Sequence, residues 1–248
     1  MFGIYKMNKR KTGSQILDNV FCFQELPNVD CNVYCLKNQI DKQNYELMLI
    51  DAGNALSSDN LFDGMRASNL DPKKITKIVI THEHLDHILG IYNLPDILQI
   101  KPEIYAYGDT ARAIRNAEES IIAPRMLGLS TEVFGITLIK KNVQELKNEE
   151  IIDFGKFSLK VIYTPGHSQG SMSLYEQNNK ILFPGDVVFC GGSFGRYDFP
   201  GGSLEKLTQS IRLIMTSLDV HYLCPGHMHY SDQGNYEIKR SYSMISQF

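Results

Sequence analysis

A seven-residue segment, Thr81-His82-Glu83-His84-Leu85-Asp86-His87, limits most strongly what this chain can fold into, and we call it the His-rich segment. It follows the apolar run 75–80, whose length and β-branched content predict a buried strand. If the chain stays extended beyond that strand, His82 and His84 point to the same side, whereas the neighbours Asp86 and His87 diverge. The pattern predicts two adjacent metal ions, one held by the alternating histidines and the other by the Asp-His pair.

A His-rich surface turn that binds no metal is the alternative interpretation of this segment. Only seven His occur in 248 residues, and three of them fall within six positions, which favours the metal site. Imidazole and carboxylate ligands indicate zinc or iron rather than calcium or magnesium.

The composition narrows the class of protein. With 43% hydrophobic residues in 248 positions, the chain can form a sizeable core in one large domain or two small ones. The net charge of −3 gives no basic footprint, so we expect no nucleic-acid partner. The basic stretch 6–11 is interpreted as a solvated tail. We see no apolar run typical of a signal peptide or a membrane span and expect no membrane association.

The five Cys residues show no Cys-x-x-Cys spacing and lie mostly in apolar segments. This pattern favours buried free thiols in a reducing compartment, so we predict a cytoplasmic location.

Three further candidate ligands, His167, Asp186 and His227, each follow an apolar strand and a Pro-Gly turn. Turn chemistry explains the Pro-Gly pairs but not why each is followed by a ligand type. Together with the first segment these residues could complete two metal sites. Asp51 also ends a strand-like run, where it could form a turn or support a ligand.

Strands and helices alternate in both halves, which predicts an α/β sandwich of two similar halves. The hydrophobic pattern predicts strands at 14–25, 31–37, 45–50, 75–80, 103–107, 150–153, 157–164, 171–175, 180–184 and 221–224. Helices are predicted at 56–69, at 88–99 with a break near Pro95, from a cap at Asp109 through Ala117, from Ser203 to about Leu218, and near the end of the chain.

Residues 109–147 have no clean hydrophobic period, so they could form ordinary core or an apolar cover over the site. We predict one domain, 1–248, with a helical insertion near 109–147. Met126 and Phe134 in this stretch are candidate substrate contacts.

Asp51, the His-rich segment, His167, Asp186 and His227 resemble, in this order, the motifs of the metallo-β-lactamase superfamily over roughly residues 14–230. The resemblance implies an αββα sandwich with two metal ions at one edge of the sheets. It implies that the first ion is bound by His82, His84 and His167, the second by Asp86, His87 and His227, and both by Asp186. A bridging carboxylate suits this role because it offsets the repulsion between two dications.

The segment Gly195–Ser203 is similar to a loop of glyoxalase II-like hydrolases, with Tyr197 where Thr is usual. Arg196 and Asp198 could brace this loop by pairing, or Arg196 and Tyr197 could contact the substrate. The resemblance implies a small-molecule substrate. Because 21 residues follow His227, we expect no glutathione-binding helical region of the kind that glyoxalase II carries.

The leading prediction is a dinuclear metal-dependent hydrolase in which a metal-bridging hydroxide attacks a small thioester, ester or lactone. Asp86 is its candidate catalytic residue because it can orient the nucleophile or carry a proton. Two divalent ions are expected, zinc first, with iron and manganese as alternatives, and a homodimer is one expected assembly. The main alternative is a mononuclear iron persulfide dioxygenase, an oxidoreductase. A flavodiiron-type oxidase, a nuclease and a non-catalytic binding protein are less favoured.

Overall fold

The computed structural model describes residues 11, 13–27, 29–123, 128 and 130–248. The larger of two sheets has its strands side by side in chain order, antiparallel up to the fourth and parallel from there on. These strands are β1 (Gly13–Leu17), β2 (Val20–Phe23), β3 (Val33–Gln39), β4 (Tyr45–Ile50), β5 (Ile75–Ile80), β6 (Glu103–Tyr107) and β7 (Gln144–Leu146).

The smaller sheet is formed by the second half of the chain. Its strands are β8 (Ile151–Phe154), β9 (Phe157–Tyr163), β10 (Met172–Glu176), β11 (Ile181–Gly185) and β12 (Tyr222–Pro225). The first four are joined by antiparallel pairing, and β12 lies parallel to β11 at the edge.

Helices cover the outer face of each sheet. The larger sheet carries α1 (Ser58–Ala67), α2 (Leu85–Ile88), α3 (Leu94–Leu98), α4 (Gly108–Asn116) and α5 (Glu119–Ile122). The smaller sheet carries α6 (Leu204–Ser217) and α7 (Gly234–Ile245). In α6, Leu207, Ile211 and Ile214 repeat at helical spacing and are buried against that sheet. The predicted αββα sandwich is thereby confirmed.

The alternation of side chains along the strands builds two core layers from one sequence. In β3, Tyr34 and Leu36 face the smaller sheet, whereas Val33 and Cys35 face the outer helices. Both faces of the first four residues of this strand are buried, so residues 33–36 are continuously apolar where a half-exposed strand would alternate.

Three local predictions differ from the structure. The run 14–25 forms a hairpin rather than one strand, because Asn19 takes a left-handed conformation (φ +67°) in the turn between β1 and β2. Asp109 does not cap its helix, because the helix already begins at Gly108. Asp109 lies in the first turn, and its Oδ1 atom is 2.6 Å from Arg112 Nη1.

The region 88–99 is also interrupted earlier than predicted. A 3-10 turn, Leu89–Tyr92, separates α2 from α3, and Pro95 lies in the first turn of α3. Proline fits there because the first helical N–H groups have no partner within the helix.

Residues 108–146 contain α4, α5, a 3-10 turn at Thr131–Phe134 and β7, which pairs in parallel with β6. Whether this stretch is an insertion in the domain stays a prediction. Among the described residues, no helix combines the length and apolar character that a membrane span requires.

Candidate metal centre

The His-rich segment forms the connection between β5 and α2. The chain bends at residues 81–83 after β5, and His84 has an extended backbone (φ −70°, ψ 148°) directly before the helix begins. His82 therefore lies in the bend and His84 at the start of the helix, whereas Asp86 and His87 lie in the first turn of α2. All three histidines of the segment are buried.

The other candidate ligands follow strands of the smaller sheet. His167 comes after β9, Asp186 directly after β11, and His227 after β12. The turn before His227 packs closely against two other ligands. A Cβ on Gly226 would lie 2.2 Å from Asp186 Oδ1 and 2.6 Å from His87 Cε1. Glycine is therefore required at this position.

The structure brings all seven candidate ligands together. Two groups have their ligand atoms within 4.8 Å of one another, the first ligand group (His82, His84 and His167) and the second ligand group (Asp86, His87 and His227). Asp186 Oδ2 lies 3.5 Å from His167 Nε2 and 3.1 Å from His227 Nε2, so Asp186 stands between the groups. The residues of both predicted ligand sets are thus adjacent, while their binding to two ions remains a prediction.

The donor atoms of this cluster fit divalent metal ions. His82 Nε2 and Asp186 Oδ1 are buried and have no hydrogen-bond partner among the described residues. Such atoms are costly to bury unpaired. His84 Nδ1 and His167 Nε2 also face each other at 2.8 Å. An ion held at about 2.0–2.2 Å by imidazole and carboxylate ligands would satisfy these atoms together.

Burial keeps the imidazoles of the first ligand group neutral. It lowers the pKa of His82 and His84, and it is the main cause that lowers the pKa of His167 to about 4. Neutral imidazole is the form that binds a metal. Burial would raise the pKa of Asp86, but the interactions with His87 and His227 of the second ligand group outweigh it and lower that pKa to about 2. Asp86 is therefore a carboxylate at neutral pH.

Asp51 orients His87. It lies in a left-handed conformation (φ +61°) directly after β4, and its Oδ2 atom is 2.8 Å from His87 Nδ1. The backbone N–H and the hydroxyl of Thr81 donate to the same carboxylate. With Nδ1 turned to Asp51, Nε2 of His87 faces the ligand cluster.

A third group, Cys31, Asp51 and His87, lies on the Nδ1 side of His87. Burial raises the pKa of the Cys31 thiol. The hydrogen bonds of Asp51 account for its carboxylate without an ion, so we assign this group to the support of His87.

Two acidic residues that the sequence analysis did not select also contact the site. Glu25 lies two residues beyond β2, and its Oε2 atom is 2.6 Å from His227 Nδ1. Glu83, in the middle of the His-rich segment, is buried and accepts hydrogen bonds from the hydroxyls of Thr110 (2.8 Å) and Ser168 (2.9 Å). Glu83 thereby ties the segment to α4 and to the turn after β9. The signal for Glu83 in the sequence was its position, an acidic residue between two candidate ligands.

The loop 195–203 lies against the first ligand group. The carbonyl oxygen of Arg196 is 2.7 Å from His167 Nδ1 and accepts its hydrogen bond. The Arg196 guanidinium pairs with both carboxylate oxygens of Asp198 at 2.9 and 2.6 Å, which braces the loop. Tyr197 is half-buried against the apolar cluster outside the smaller sheet. Substrate contacts by Arg196 and Tyr197 stay predictions.

Two aromatic rings that the sequence analysis did not select border the ligand cluster. Phe199 meets His84 edge-on with ring centres 5.5 Å apart. In the second ligand group, Phe189 meets His227 in the same way at 5.8 Å. Each ligand group therefore has one aromatic ring packed against one of its histidines.

The two candidate contacts in the stretch 109–147 are placed differently. Phe134 is 5% exposed and belongs to the apolar cluster outside the larger sheet, so the structure does not group it with the ligands. Met126 lies outside the described residues. Substrate contacts by either residue stay predictions.

Comparison with known proteins agrees with this geometry. A family model described as the metallo-beta-lactamase superfamily matches residues 28–227. The acyl-coenzyme A thioesterase MBLAC2 of Gallus gallus is 28% identical over 193 residues, covering 73% of this chain and 68% of that protein. The hydroxyacylglutathione hydrolase GloC of Haemophilus influenzae is 29% identical over 161 residues, covering 63% and 70% respectively.

Among solved structures, the di-iron-bound form of TTHA1623 is 25% identical with a TM-score of 0.64, covering 85% of this chain and 94% of that one. The residues matched by the family model include every candidate metal ligand. This chain belongs to the metallo-β-lactamase superfamily.

Proposed function

We propose that this protein is a dinuclear metal-dependent hydrolase that cleaves small thioesters. The observation that carries the proposal is the position of Asp186, whose carboxylate contacts a histidine of each ligand group. A carboxylate placed between two dications offsets their repulsion. The similarity to an acyl-CoA thioesterase and to a hydroxyacylglutathione hydrolase favours thioesters over the ester and lactone alternatives.

The histidines of the two ligand groups, with Asp86 and Asp186, would hold the ions. Zinc is the first choice for these nitrogen and oxygen donors, and the di-iron form of TTHA1623 supports iron as the alternative. Bound there, two divalent ions would lower the pKa of a bound water molecule and polarise the substrate carbonyl.

Asp86 is placed to orient the attacking water. Its Oδ2 atom lies 3.3 Å from His227 Nε2, and its low pKa keeps it ionised at neutral pH. It would accept a hydrogen bond from the water and direct the oxygen lone pair at the acyl carbon. A carboxylate with a pKa near 2 is a poor proton donor at neutral pH. A thiolate leaving group needs little protonation, because thiols ionise at a pKa of about 8.5. This chemistry suits a thioester better than an amide.

The rings of Phe189 and Phe199, which lie against ligand histidines, would contact the acyl group and keep other water away from the reacting carbonyl. The substrate is accordingly a small molecule with an apolar acyl part. A homodimer and a cytoplasmic location remain predictions.

Metal analysis of the purified protein, with a thioester hydrolysis assay in parallel, tests this proposal. We expect about two metal ions per chain and hydrolysis that falls to background in His84→Ala. His221→Ala is the matched control, because His221 is exposed and lies outside both ligand groups. About one iron per chain, no hydrolysis and oxygen uptake with glutathione persulfide would replace the proposal with the dioxygenase.

A further inference from the structure

The two ligand groups differ in what their outward-facing ring nitrogens contact. In the second ligand group, Nδ1 of His87 faces the Asp51 carboxylate and Nδ1 of His227 faces the Glu25 carboxylate, at 2.8 and 2.6 Å. For two histidines of the first ligand group, the corresponding contacts are uncharged. His167 Nδ1 faces a backbone carbonyl at 2.7 Å, and His82 Nδ1 faces the Thr81 hydroxyl at 3.1 Å.

A carboxylate acceptor has two effects on a ligand histidine. It holds the proton on Nδ1, so that the Nε2 lone pair is free for the ion, and it makes the ring more basic. A carbonyl or hydroxyl acceptor gives the same orientation with less charge. The half-site of the second ligand group therefore depends on two anionic neighbours, one of which is Glu25.

Glu25 reaches His227 from the other sheet. It follows β2 of the larger sheet, whereas His227 follows β12 of the smaller sheet. The second oxygen of the same carboxylate, Oε1, accepts a hydrogen bond from Met228 N (2.9 Å). One carboxylate thus fixes both the ring of His227 and the backbone next to it.

A neighbouring asparagine completes the attachment of this turn. Glu25 N donates to Asn32 Oδ1 (2.9 Å), and Asn32 Nδ2 donates to the carbonyls of Pro225 (3.0 Å) and Met228 (2.8 Å). Met228 has a left-handed backbone (φ +67°), which is uncommon for a residue other than glycine and is held here by hydrogen bonds on both sides. The turn is built to keep His227 in one orientation.

We propose that Glu25 is a positioning residue for the second metal ion and sets the affinity of the half-site formed by Asp86, His87 and His227. The inference rests on the metal centre of the proposed function, but its readout is metal binding and not hydrolysis. Loss of the Glu25 carboxylate weakens the binding of one of the two ions and leaves the affinity for the other unchanged.

The test is a Zn²⁺ titration of metal-free wild type and Glu25→Gln in competition with a chelator. Glutamine keeps the size of the side chain, but its amide can donate to His227 Nδ1 and move the ring proton to Nε2, where the ion binds. We expect one equivalent with wild-type affinity and one weakened by about 10- to 100-fold. Glu46→Gln is the matched control, because Glu46 is also half-buried and accepts hydrogen bonds from Asn38 and Thr76.

Glu25→Asp separates the carboxylate from mere packing. It keeps the charge, so the second equivalent should be recovered at least in part. If the aspartate variant loses that equivalent as fully as the glutamine variant, the proposal is wrong. It is also wrong if Glu25→Gln binds two equivalents as wild type does. A wild type that binds no metal would instead overturn the proposed function.

A second test uses the wild-type protein alone and so does not depend on whether a variant folds. In ¹⁵N-labelled, zinc-loaded protein, the His227 ring should show a protonated Nδ1 and a ligated Nε2. A ligated Nδ1 would overturn the assignment of Glu25.

Discussion

Lys11 and Asp30 form an ion pair that is shut off from solvent near the metal centre. Lys11 Nζ lies 2.8 Å from Asp30 Oδ2, and both side chains are fully buried. The lysine also donates to the Cys31 carbonyl (2.7 Å), and the aspartate accepts from the Ser57 hydroxyl (2.9 Å). The prediction of a solvated tail through residue 11 is therefore wrong for Lys11. The basic run 6–11 gave no indication that Lys11 is buried, because its partner Asp30 lies on a loop elsewhere in the chain.

Asp30→Ala should lower the free energy of unfolding by about 3–5 kcal/mol, because Lys11 would stay buried without its partner. Urea unfolding of the metal-free protein measures this change. Replacing both residues, as Lys11→Met with Asp30→Leu, should recover most of the loss. Asp63→Ala, which breaks the exposed pair with Arg66, is the control and should change little. Equal effects of Asp30→Ala and Asp63→Ala would contradict the prediction.

At the scale of elements, each Pro-Gly pair lies at or just beyond the end of a strand and directly before a ligand. The sequence was sufficient to select His167, Asp186 and His227, because each follows a recognisable strand and turn. It was not sufficient for Glu25, whose partner His227 lies on the opposite sheet. The distance between those side chains depends on how the two sheets stack, and no local pattern encodes that arrangement.

The turn before His167 fits tightly against α6. A Cβ on Gly166 (φ +132°) would lie 2.2 Å from Leu207 N. Ser203 N donates to the Gly166 carbonyl (2.8 Å), and the Ser210 hydroxyl donates to the Pro165 carbonyl (2.6 Å). The N-terminal half of α6 and the turn therefore form one packed unit.

Gly166→Ala should separate this unit and displace His167 from the first ligand group. We expect the affinity for one of the two metal ions to fall by about 10- to 100-fold, since the ligand geometry is lost. Chelator competition measures it. Gly135→Ala is the control, because Gly135 also has a positive φ (+70°) but no atom within 4 Å of the added Cβ. If both variants bind metal equally well, the packing of α6 does not position His167.

For the whole molecule, the layered fold followed from the sequence more directly than its details. Apolar strands and amphipathic helices in both halves were enough to predict the sandwich, because each apolar face must be buried against another layer. The hairpin within 14–25 was missed because Asp18 and Asn19 are too short a polar interruption to divide an apolar run. The resemblance to the metallo-β-lactamase superfamily implied how the candidate ligands group, whereas the local pattern alone could not, because His167, Asp186 and His227 follow strands of the other sheet.

The two halves of the molecule meet at the ligand cluster, so metal binding should stabilise the whole fold. The ligands of the His-rich segment follow β5 of the larger sheet, whereas His167, Asp186 and His227 follow strands of the smaller sheet. Ions bound to both sets favour only the state in which the sheets are docked, because the unfolded chain does not bring the ligands together.

Metal removal should therefore lower the melting temperature of the protein. At a free metal concentration 100 times the Kd, one ion contributes about 2.7 kcal/mol, which corresponds to roughly 5–10 °C for a chain of this size. Thermal unfolding with a chelator and after the return of Zn²⁺ measures the shift. His227→Ala should reduce the shift and His221→Ala should preserve it, since His227 joins the smaller sheet to the second ligand group and His221 lies outside both groups. An unchanged melting temperature while the metal content falls would mean that the docked sheets do not depend on the ions.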